Sequence, residues 1–228
     1  VVAAIIEHPT KRSRPIGKIV EVLGDHMAPG MEIDIAIRSH ELPFEWPPAV
    51  TEEAERFGYE VPERAKQGRE DLRHLPLVTI DGADAKDFDD AVFCSREADH
   101  WRLLVTIADV SHYVKPSTAL DKEATLRGTS VYFPGKVIPM LPEILSNGLC
   151  SLNPQVDRLC MLCEIRLDDA GNVLNYAFKQ AVMNSAARLT YDQVAAMVVE
   201  HDAAMLRQYA EFVPHLGNLS ALFYTLNH

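Results

Sequence analysis

The sequence has no apolar run long enough to cross a membrane, because its apolar stretches are short and broken by charge. A membrane-spanning helix needs about 20 consecutive apolar residues. The first segment, Val1–Glu7, is apolar but has no basic lead and no cleavage-type end, so it is typical of a strand and not of a signal peptide. Because the chain begins with valine and not methionine, we expect it to be a piece of a longer protein.

Cysteines are also few, at four in 228 residues. Cys160 and Cys163 form a C-x-x-C pair, which suits half a zinc site or a redox pair. No second pair completes a tetrahedral site, and residues 159–167 are typical of a strand, in which residues three apart point to opposite faces. We therefore expect buried, reduced cysteines and a cytoplasmic protein.

Basic residues are outnumbered, with 22 lysines and arginines against 33 acids and a net charge of −11. This balance counts against a simple nucleic-acid binder, because contacts to phosphate need cations. It does not exclude a metal-dependent nuclease, whose centre must concentrate acid.

The first 40 residues predict the end of a small β-barrel. Three apolar segments have the length of strands, and residues 26–30 have turn chemistry. The predicted strands are Val1–Glu7, Ile16–Val22 and Met31–Ile37. A basic cluster of Lys11, Arg12, Arg14 and Lys18 surrounds the first turn, where it suits either a nucleic-acid backbone or a solvated loop.

Residues 41–74 are rich in proline and acid, and we interpret them as a linker on the surface. Thr51 can cap a short helix, and residues 62–68 can form another. Residues 75–228 then predict a mixed α/β domain, so the fold class is α+β. The motifs in this part are strands at 77–80, 91–94 and 101–108, a helix from Ser117 or Thr118 to Arg127, a hairpin of 158–167 with 172–183, a capping box at 190–193, and a helical stretch from Asp202 disturbed by Pro214 and Gly217.

The informative segment is Thr79–Val92, which holds five aspartates in ten residues between two apolar strands. Carboxylates this dense repel one another, so a fold tolerates them where cations neutralise them. Hard oxygen ligands favour magnesium, manganese or calcium. A solvated acidic turn is the alternative.

Calcium in an EF-hand is excluded by spacing. Counting from Asp81, the third position is Ala83, and counting from Asp87, the sixth position is Val92. Magnesium fits better, because it takes one or two protein carboxylates and completes its shell with water and phosphate. Two such ions can activate a water against a phosphodiester.

This segment resembles the signature of the ribonuclease II / ribonuclease R family, in its RNB catalytic domain, and is most similar to the bacterial ribonuclease R branch. The similarity extends over nearly the whole chain. The further matching stretches are 107–111, 128–134, 139–142, 145–154, 157–158 and 187–191. The resemblance implies that residues 1–40 end a second cold-shock (OB-like) domain and that residues 75–228 begin an incomplete RNB domain.

The resemblance also implies residue roles. The four catalytic aspartates are Asp81, Asp87, Asp89 and Asp90. Asp81 and Asp90 bind Mg²⁺, with Mn²⁺ as the other candidate ion, and loss of Asp89 stops cleavage. Tyr132 packs against the last nucleotides, as a stacking ring that reads no sequence.

Other candidates keep two interpretations each. Arg158 and Arg188 either contact RNA phosphate or hold their own surroundings together. His112 suits acid–base work, but packing fits it better, since metal-assisted hydrolysis needs no histidine. Lys86 either touches substrate or offsets the repulsion between its acidic neighbours.

The resulting hypothesis is a monomeric, magnesium-dependent exoribonuclease that is not attached to a membrane. It degrades single-stranded or 3′-tailed structured RNA processively from the 3′ end and releases nucleoside 5′-monophosphates. The alternatives are an RNA-binding module that does not cleave and an acidic metal-binding scaffold without RNA.

Overall fold

The structure is a computed structural model that describes residues 1–10, 12–24 and 29–227. It opens with an antiparallel pair of strands, β1 (Val2–Glu7) and β2 (Ile16–Glu21), so the first two predicted strands are confirmed. Lys11 of the basic cluster and most of the turn predicted at 26–30 lie outside the described residues.

The third predicted strand is wrong, because Met31–Ser39 forms helix α1. The isoleucines at every second position indicated a strand, but they also allow a helix in which Ile33 and Ile37 share a face. Acids in the first turn and Arg38 in the last turn favour the helix dipole, and only Ile37 of this helix is buried. Burial in this segment therefore follows the spacing of a helix and not the alternation of a strand.

The proline-rich segment contains the two short helices expected there, α2 (Pro48–Glu55) and α3 (Glu63–Lys66). Thr51 is not the cap of α2, because the helix already begins at Pro48, where a missing backbone N–H costs nothing. Val50 and Leu72 join the main hydrophobic core, so this segment packs into the domain in addition to connecting its neighbours.

A mixed seven-stranded sheet organises the rest of the chain, in the order β11-β4-β5-β6-β9-β10-β3. Its strands pair antiparallel except at the two edges, where β11 pairs with β4 and β3 pairs with β10 in parallel. A separate hairpin, β7 with β8, lies outside this sheet. The strands are β3 (Glu70–Asp71), β4 (Val78–Asp81), β5 (Asp90–Glu97), β6 (His100–Ala108), β7 (Val131–Phe133), β8 (Lys136–Ile138), β9 (Asp157–Leu167), β10 (Val173–Asn184) and β11 (Ala187–Thr190).

Helices cover both faces of the sheet, which confirms the α+β class. The helices of this part are α4 (Val110–Tyr113), α5 (Ala119–Arg127), a π-helix (Ile144–Leu149), α6 (Tyr191–Val198), α7 (Ala203–Gln208) and α8 (Val213–Leu226). The largest core joins α2, α5 and the π-helix to the strands, through residues such as Leu120, Leu145 and Leu159. A second core joins α6 and α8 to β4 and β11.

Local signals in the sequence predicted several boundaries correctly. Thr118 caps α5 with its hydroxyl, and Gly128 ends that helix with φ of 72°. Thr190 and Gln193 form the expected capping box of α6. Pro214 was expected to disturb its helix, but it lies in the first turn of α8, where proline is tolerated.

The expected strand around Cys160 and Cys163 is β9, and the four cysteines are free thiols. Cys160 is buried, whereas Cys163 is only partly buried, as opposite faces of a strand require. Burial raises the pKa of Cys160 to about 12, so this thiol stays protonated. No helix in the described part of the chain is long and apolar enough to span a membrane.

Candidate active site

The aspartate segment is the connection between β4 and β5. Asp81 is the last residue of β4 and Asp90 is the first of β5, and these strands are antiparallel neighbours through Val78 and Val92. The end of one strand and the start of the other therefore lie at the same end of the sheet. The loop of residues 82–89 is short, so all its carboxylates stay near that end.

One buried residue, Phe88, fixes the conformation of this loop. Its side chain is 2% exposed, its amide donates to Ser151 Oγ at 3.0 Å, and its carbonyl accepts from the Leu152 amide at 2.6 Å. Phe88 lies between Asp87 and Asp89 in the chain, and both of these line a cleft instead. The aromatic residue thus anchors the loop inward while its acidic neighbours face outward.

Three of the four predicted catalytic aspartates line one cavity of about 370 Å³, namely Asp81, Asp87 and Asp89. The opposite wall includes Ser130 and Tyr132 from the β7 hairpin and its flank. Ser146 and Cys150, from the π-helix and its end, complete that wall. Irregular π-helical turns are frequent at functional sites. The clustering expected from the sequence is therefore present in space.

Asp90 does not line this cavity, but its carboxyl is close enough to Asp89 and Asp81 to feel their charges. Protein atoms around its carboxyl displace water and raise its pKa, and the charges of Asp89 and Asp81 raise it further. Among the described residues, no lysine or arginine forms an ion pair with any of the four aspartates. No ion pair among the described residues therefore offsets the repulsion between these carboxylates.

Tyr132 reaches this cluster from the β7 hairpin. Its ring is 62% exposed, and its hydroxyl donates to Asp87 Oδ2 at 2.8 Å. This hydrogen bond, with some burial and the nearby carboxylate charges, raises the pKa of Tyr132 to about 12. The tyrosine therefore remains a donor at neutral pH and leaves a ring face open beside the aspartates.

Both predicted RNA-contacting arginines make contacts inside the protein. Arg158 is 7% exposed, and its Nε and Nη1 donate to the carbonyls of Ser151 and Asp157, both at 2.9 Å. Arg188 donates to the Ala85 carbonyl at 2.7 Å and lies over the Phe88 ring at 4.1 Å. These are the loop-holding roles that the sequence left open, and contact with RNA stays a prediction for both.

The sequence did not single out the buried partner of Asp109. Asp109 is 2% exposed, caps α4, and pairs with Arg69 Nη2 at 2.7 Å. The backbone amide of the preceding residue, Ala108, donates to the Asp89 carbonyl at 2.8 Å. The ion pair of Asp109 with Arg69 therefore lies next to a backbone contact that holds the aspartate loop. The position of Asp109 before Val110, Ser111 and His112 could have indicated a helix cap. No local pattern in the sequence could have indicated that Arg69 is its partner.

His112 has the packing role favoured by the sequence. Burial lowers its pKa, and the charge of Arg69 lowers it further, so the ring is neutral at physiological pH. It lies against Tyr113, with ring centroids 4.9 Å apart.

The donors of the cleft suit magnesium, although a complete cage is not preformed. Within the described residues, no three histidine, cysteine or acidic side chains converge as a metal-binding group. Magnesium needs only one or two protein carboxylates, since water and phosphate fill the rest of its shell. The unpaired aspartates and the raised pKa of Asp90 fit a site that a cation would stabilise.

Comparison with known proteins assigns the family. The sequence profile of the RNB domain matches residues 69–226, and that of the cold shock domain matches residues 1–47. The chain belongs to the RNB family. The described N-terminal strands of this RNB protein form a two-stranded sheet and not a closed barrel, which agrees with the expected end of a cold-shock-like domain.

Curated relatives of this RNB chain are much longer than it is. Ribonuclease R of Escherichia coli is 58% identical over 228 residues, which is 100% of this chain and 28% of that protein. Ribonuclease R of Vibrio parahaemolyticus is 58% identical over 227 residues, which is 99% of this chain and 27% of that protein. The chain thus spans little more than a quarter of these relatives.

A solved structure extends the similarity to the fold. Mycoplasma genitalium RNase R in complex with double-stranded RNA superposes with a TM-score of 0.82 at 32% identity, over 98% of this chain and 39% of that one. A yeast protein described as a pseudonuclease has a TM-score of 0.64 at 18% identity, over 86% of this chain and 25% of that one. This second likeness concerns the fold alone.

Proposed function

We propose that this chain supplies the catalytic aspartates of a magnesium-dependent exoribonuclease. The complete protein shortens single-stranded or 3′-tailed RNA processively from its 3′ end and releases nucleoside 5′-monophosphates. The observation that carries the proposal is the shared cleft of Asp81, Asp87 and Asp89, which lack an ion pair in the described part of the chain and lie beside the exposed ring of Tyr132. The high identity to proteins named ribonuclease R supports it.

The proposed reaction is hydrolysis of the last phosphodiester bond. The oxygen of a water molecule bonds to phosphorus, the bond from phosphorus to the preceding O3′ breaks, and that oxygen takes up a proton. The products are a nucleoside 5′-monophosphate and an RNA with a new 3′-hydroxyl. Repetition of this step shortens the chain from the 3′ end.

Each aspartate has a proposed part in this step. Asp81 and Asp90 would hold magnesium, with manganese as the other candidate ion. A bound divalent ion supplies charge neutralisation at phosphate and a lower pKa of water. Asp87 and Asp89 then accept hydrogen bonds that orient the attacking water, and Tyr132 keeps Asp87 in position through its hydroxyl.

Tyr132 also suits the recognition of an RNA end. An exposed aromatic ring stacks on any base, so it binds single strands without reading sequence. Two of the solved structures similar to this chain are Mycoplasma genitalium RNase R with double-stranded RNA and with ribose methylated single-stranded RNA. RNA is therefore the partner that the similarity supports best.

The test is RNA decay by the protein at its native length, with labelled 3′-tailed RNA. Wild type should release mononucleotides with Mg²⁺ and stop with chelator. Asp89→Asn should lower the rate by about 10²-fold or more, the order of one lost transition-state contact. Asp192→Asn, which removes an exposed carboxylate on α6, should retain wild-type activity and serves as the matched control.

A non-cleaving RNA-binding module is the rival function. One observation favours it, since no three metal-binding side chains converge among the described residues. Fold alone does not imply activity. RNA binding by the native-length protein without product, and without dependence on Mg²⁺, would establish this rival and end the nuclease proposal.

A further inference from the structure

A second cavity, of about 280 Å³, adjoins the aspartate cleft. The two cavities share a wall that contains Asp87, Ser130, Tyr132 and Ser146. A chain that passes from one cavity to the other therefore stays beside Tyr132. Because a nuclease that removes the last nucleotide must also hold the nucleotides before it, the second cavity is a place for the RNA that precedes the scissile bond.

The charges of the two cavities are unbalanced. Five carboxylates and two lysines line them, namely Asp81, Asp84, Asp87, Asp89 and Glu143 with Lys86 and Lys136. RNA brings one further negative charge with each phosphate, so its approach is opposed unless cations lie along the path. Lys86 belongs to the aspartate loop itself, whereas Lys136 faces that loop from the opposite hairpin.

The β7 hairpin holds Lys136 in a defined place. Lys136 pairs with Phe133 across a two-residue turn, next to the pair of Tyr132 with Val137. Gly135 permits this turn, since its φ is +75°. Tyr132 and Lys136 belong to neighbouring cross-strand pairs, so their side chains leave opposite faces of the hairpin, but both residues line the second cavity. A phosphate chain that continues from a base on Tyr132 through this cavity therefore passes Lys136.

The present partner of Lys136 is easily exchanged. Its Nζ lies 3.0 Å from Asp34 Oδ1 of α1, and both side chains are partly exposed to solvent. Such exposed pairs contribute little to stability, because water screens them. Asp34 also has Arg38 Nη1 at 3.9 Å, so it keeps a cationic neighbour if Lys136 turns away.

We infer that Lys136 binds a phosphate group of the RNA upstream of the scissile bond, and that Asp34 holds the lysine until RNA displaces it. The inference rests on the proposed function and assigns one contact of its substrate path. Lys136 is then a binding residue supplied by the hairpin, and Asp34 competes with RNA for it. This competition links α1, in the region that matches the cold shock domain, to the cleft of the RNB domain.

The experiment measures RNA binding by the native-length protein in an Asp89→Asn background, in which RNA is not consumed. The probe is 5′-labelled oligoadenylate, followed by fluorescence anisotropy at several salt concentrations. Lys136→Gln should weaken binding several-fold and lower the slope of log affinity against log salt by about 0.7, as for one lost contact to a single strand. Oligouridylate should show the same loss, since phosphate contacts carry no sequence information.

Three further variants separate phosphate binding from support of the hairpin. Lys136→Arg keeps the charge and should retain the wild-type slope. Asp34→Asn removes the competitor, so binding should become tighter. Lys122→Gln removes an exposed lysine of α5 that lines neither cavity, and it controls for the loss of net charge.

The inference is overturned if Lys136→Gln binds like Lys122→Gln. It is also overturned if Asp34→Asn does not tighten binding, because Asp34 then does not compete with RNA, and a loss as large as that of Lys136→Gln would show that the pair only supports the hairpin. Either result leaves the proposed function standing when the protein without Asp89→Asn still degrades RNA. A native-length protein that neither binds nor degrades RNA overturns both.

Discussion

A single buried carboxylate and a cluster of aspartates lie at the ends of neighbouring strands. They differ in whether the protein supplies a cationic partner. Asp109 follows β6 and is buried against Arg69. The side chains of the aspartates between β4 and β5 have no such partner among the described residues. The two sites are nevertheless adjacent, because the backbone amide of Ala108, next to Asp109, donates to the backbone carbonyl of Asp89. The same side-chain chemistry therefore appears in a paired and an unpaired form within one small region.

Their pKa shifts run in opposite directions for this reason. Burial alone would raise the pKa of Asp109, but hydrogen bonds from Ser111 and Arg69 and the charge of Arg69 outweigh it and lower the pKa. The pKa of Asp90 is raised by desolvation and by its acidic neighbours. The paired carboxylate is satisfied inside the fold, whereas the unpaired ones have no cationic partner among the described residues.

Breaking the buried pair should give the largest effect on stability. Arg69→Met leaves Asp109 buried without its cationic partner, which costs about 3–5 kcal/mol of unfolding free energy. Urea denaturation of the native-length protein measures it. Arg96→Met, which removes the exposed arginine that pairs with Asp169, should cost much less. If Arg69→Met costs no more than this control, the paired carboxylate does not stabilise the fold.

The same pair should show a defined pH dependence. Since the pKa of Asp109 is lowered from 3.8, its contribution is present above that value and is lost as the pH falls through the lowered pKa. The stability difference between wild type and Arg69→Met should therefore shrink in acid, and denaturation at a series of pH values measures it. A difference that stays constant down to the acid limit would contradict the pairing.

The next prediction concerns the one hydrogen bond between two side chains that reaches the unpaired aspartates in the described part of the chain. Tyr132→Phe removes the donor to Asp87 but keeps the ring, so RNA binding should persist while the Mg²⁺ concentration at half-maximal activity changes a few-fold. Tyr132→Ala also removes stacking and should weaken RNA binding by about 1–3 kcal/mol. Titration with Mg²⁺ and with labelled RNA separates the two. Equal RNA affinity of the two variants would show that the ring does not stack on RNA, and an unchanged Mg²⁺ requirement of Tyr132→Phe would show that the hydroxyl has no positioning role.

The smallest effect should come from neutralising one unpaired carboxylate. A raised pKa means that the charged form of Asp90 is disfavoured by folding, so this cost is absent below 3.8 and appears as the pH rises through the raised value. At neutral pH without divalent ions, Asp90→Asn should stabilise the protein by only about 0.5 kcal/mol, because solvent screens an exposed group. Thermal melts measure it, with Glu200→Gln, which removes an exposed carboxylate just after α6, as control.

Magnesium should reverse this small gain. A cation that binds the folded wild type stabilises it by mass action, and Asp90→Asn should gain less. Melting curves with and without Mg²⁺ give the comparison. Destabilisation by Asp90→Asn in the absence of any divalent ion would show that this carboxylate is satisfied within the fold, and the contrast with Asp109 would be lost.

The sequence by itself determined those features that depend on near neighbours in the chain. Five aspartates within ten residues stay close in any compact fold, so the acidic centre was predictable. The caps Thr118 and Thr190 depend on hydrogen bonds between residues three positions apart, and both caps were confirmed. The hairpin of β9 and β10 depends on a short turn, and it was also confirmed.

Tertiary structure decided the features that depend on distant partners. Met31–Ser39 forms a helix in which Ile37 is buried and Ile35 is exposed, and the alternation of isoleucines alone did not reveal this difference. Asp109 meets Arg69 from 40 residues away, and Lys136 meets Asp34 from 102 residues away. Burial and charge pairing act through space, and a single sequence records side chains only along the chain, so the fold decides which carboxylates have a partner within the protein and which do not.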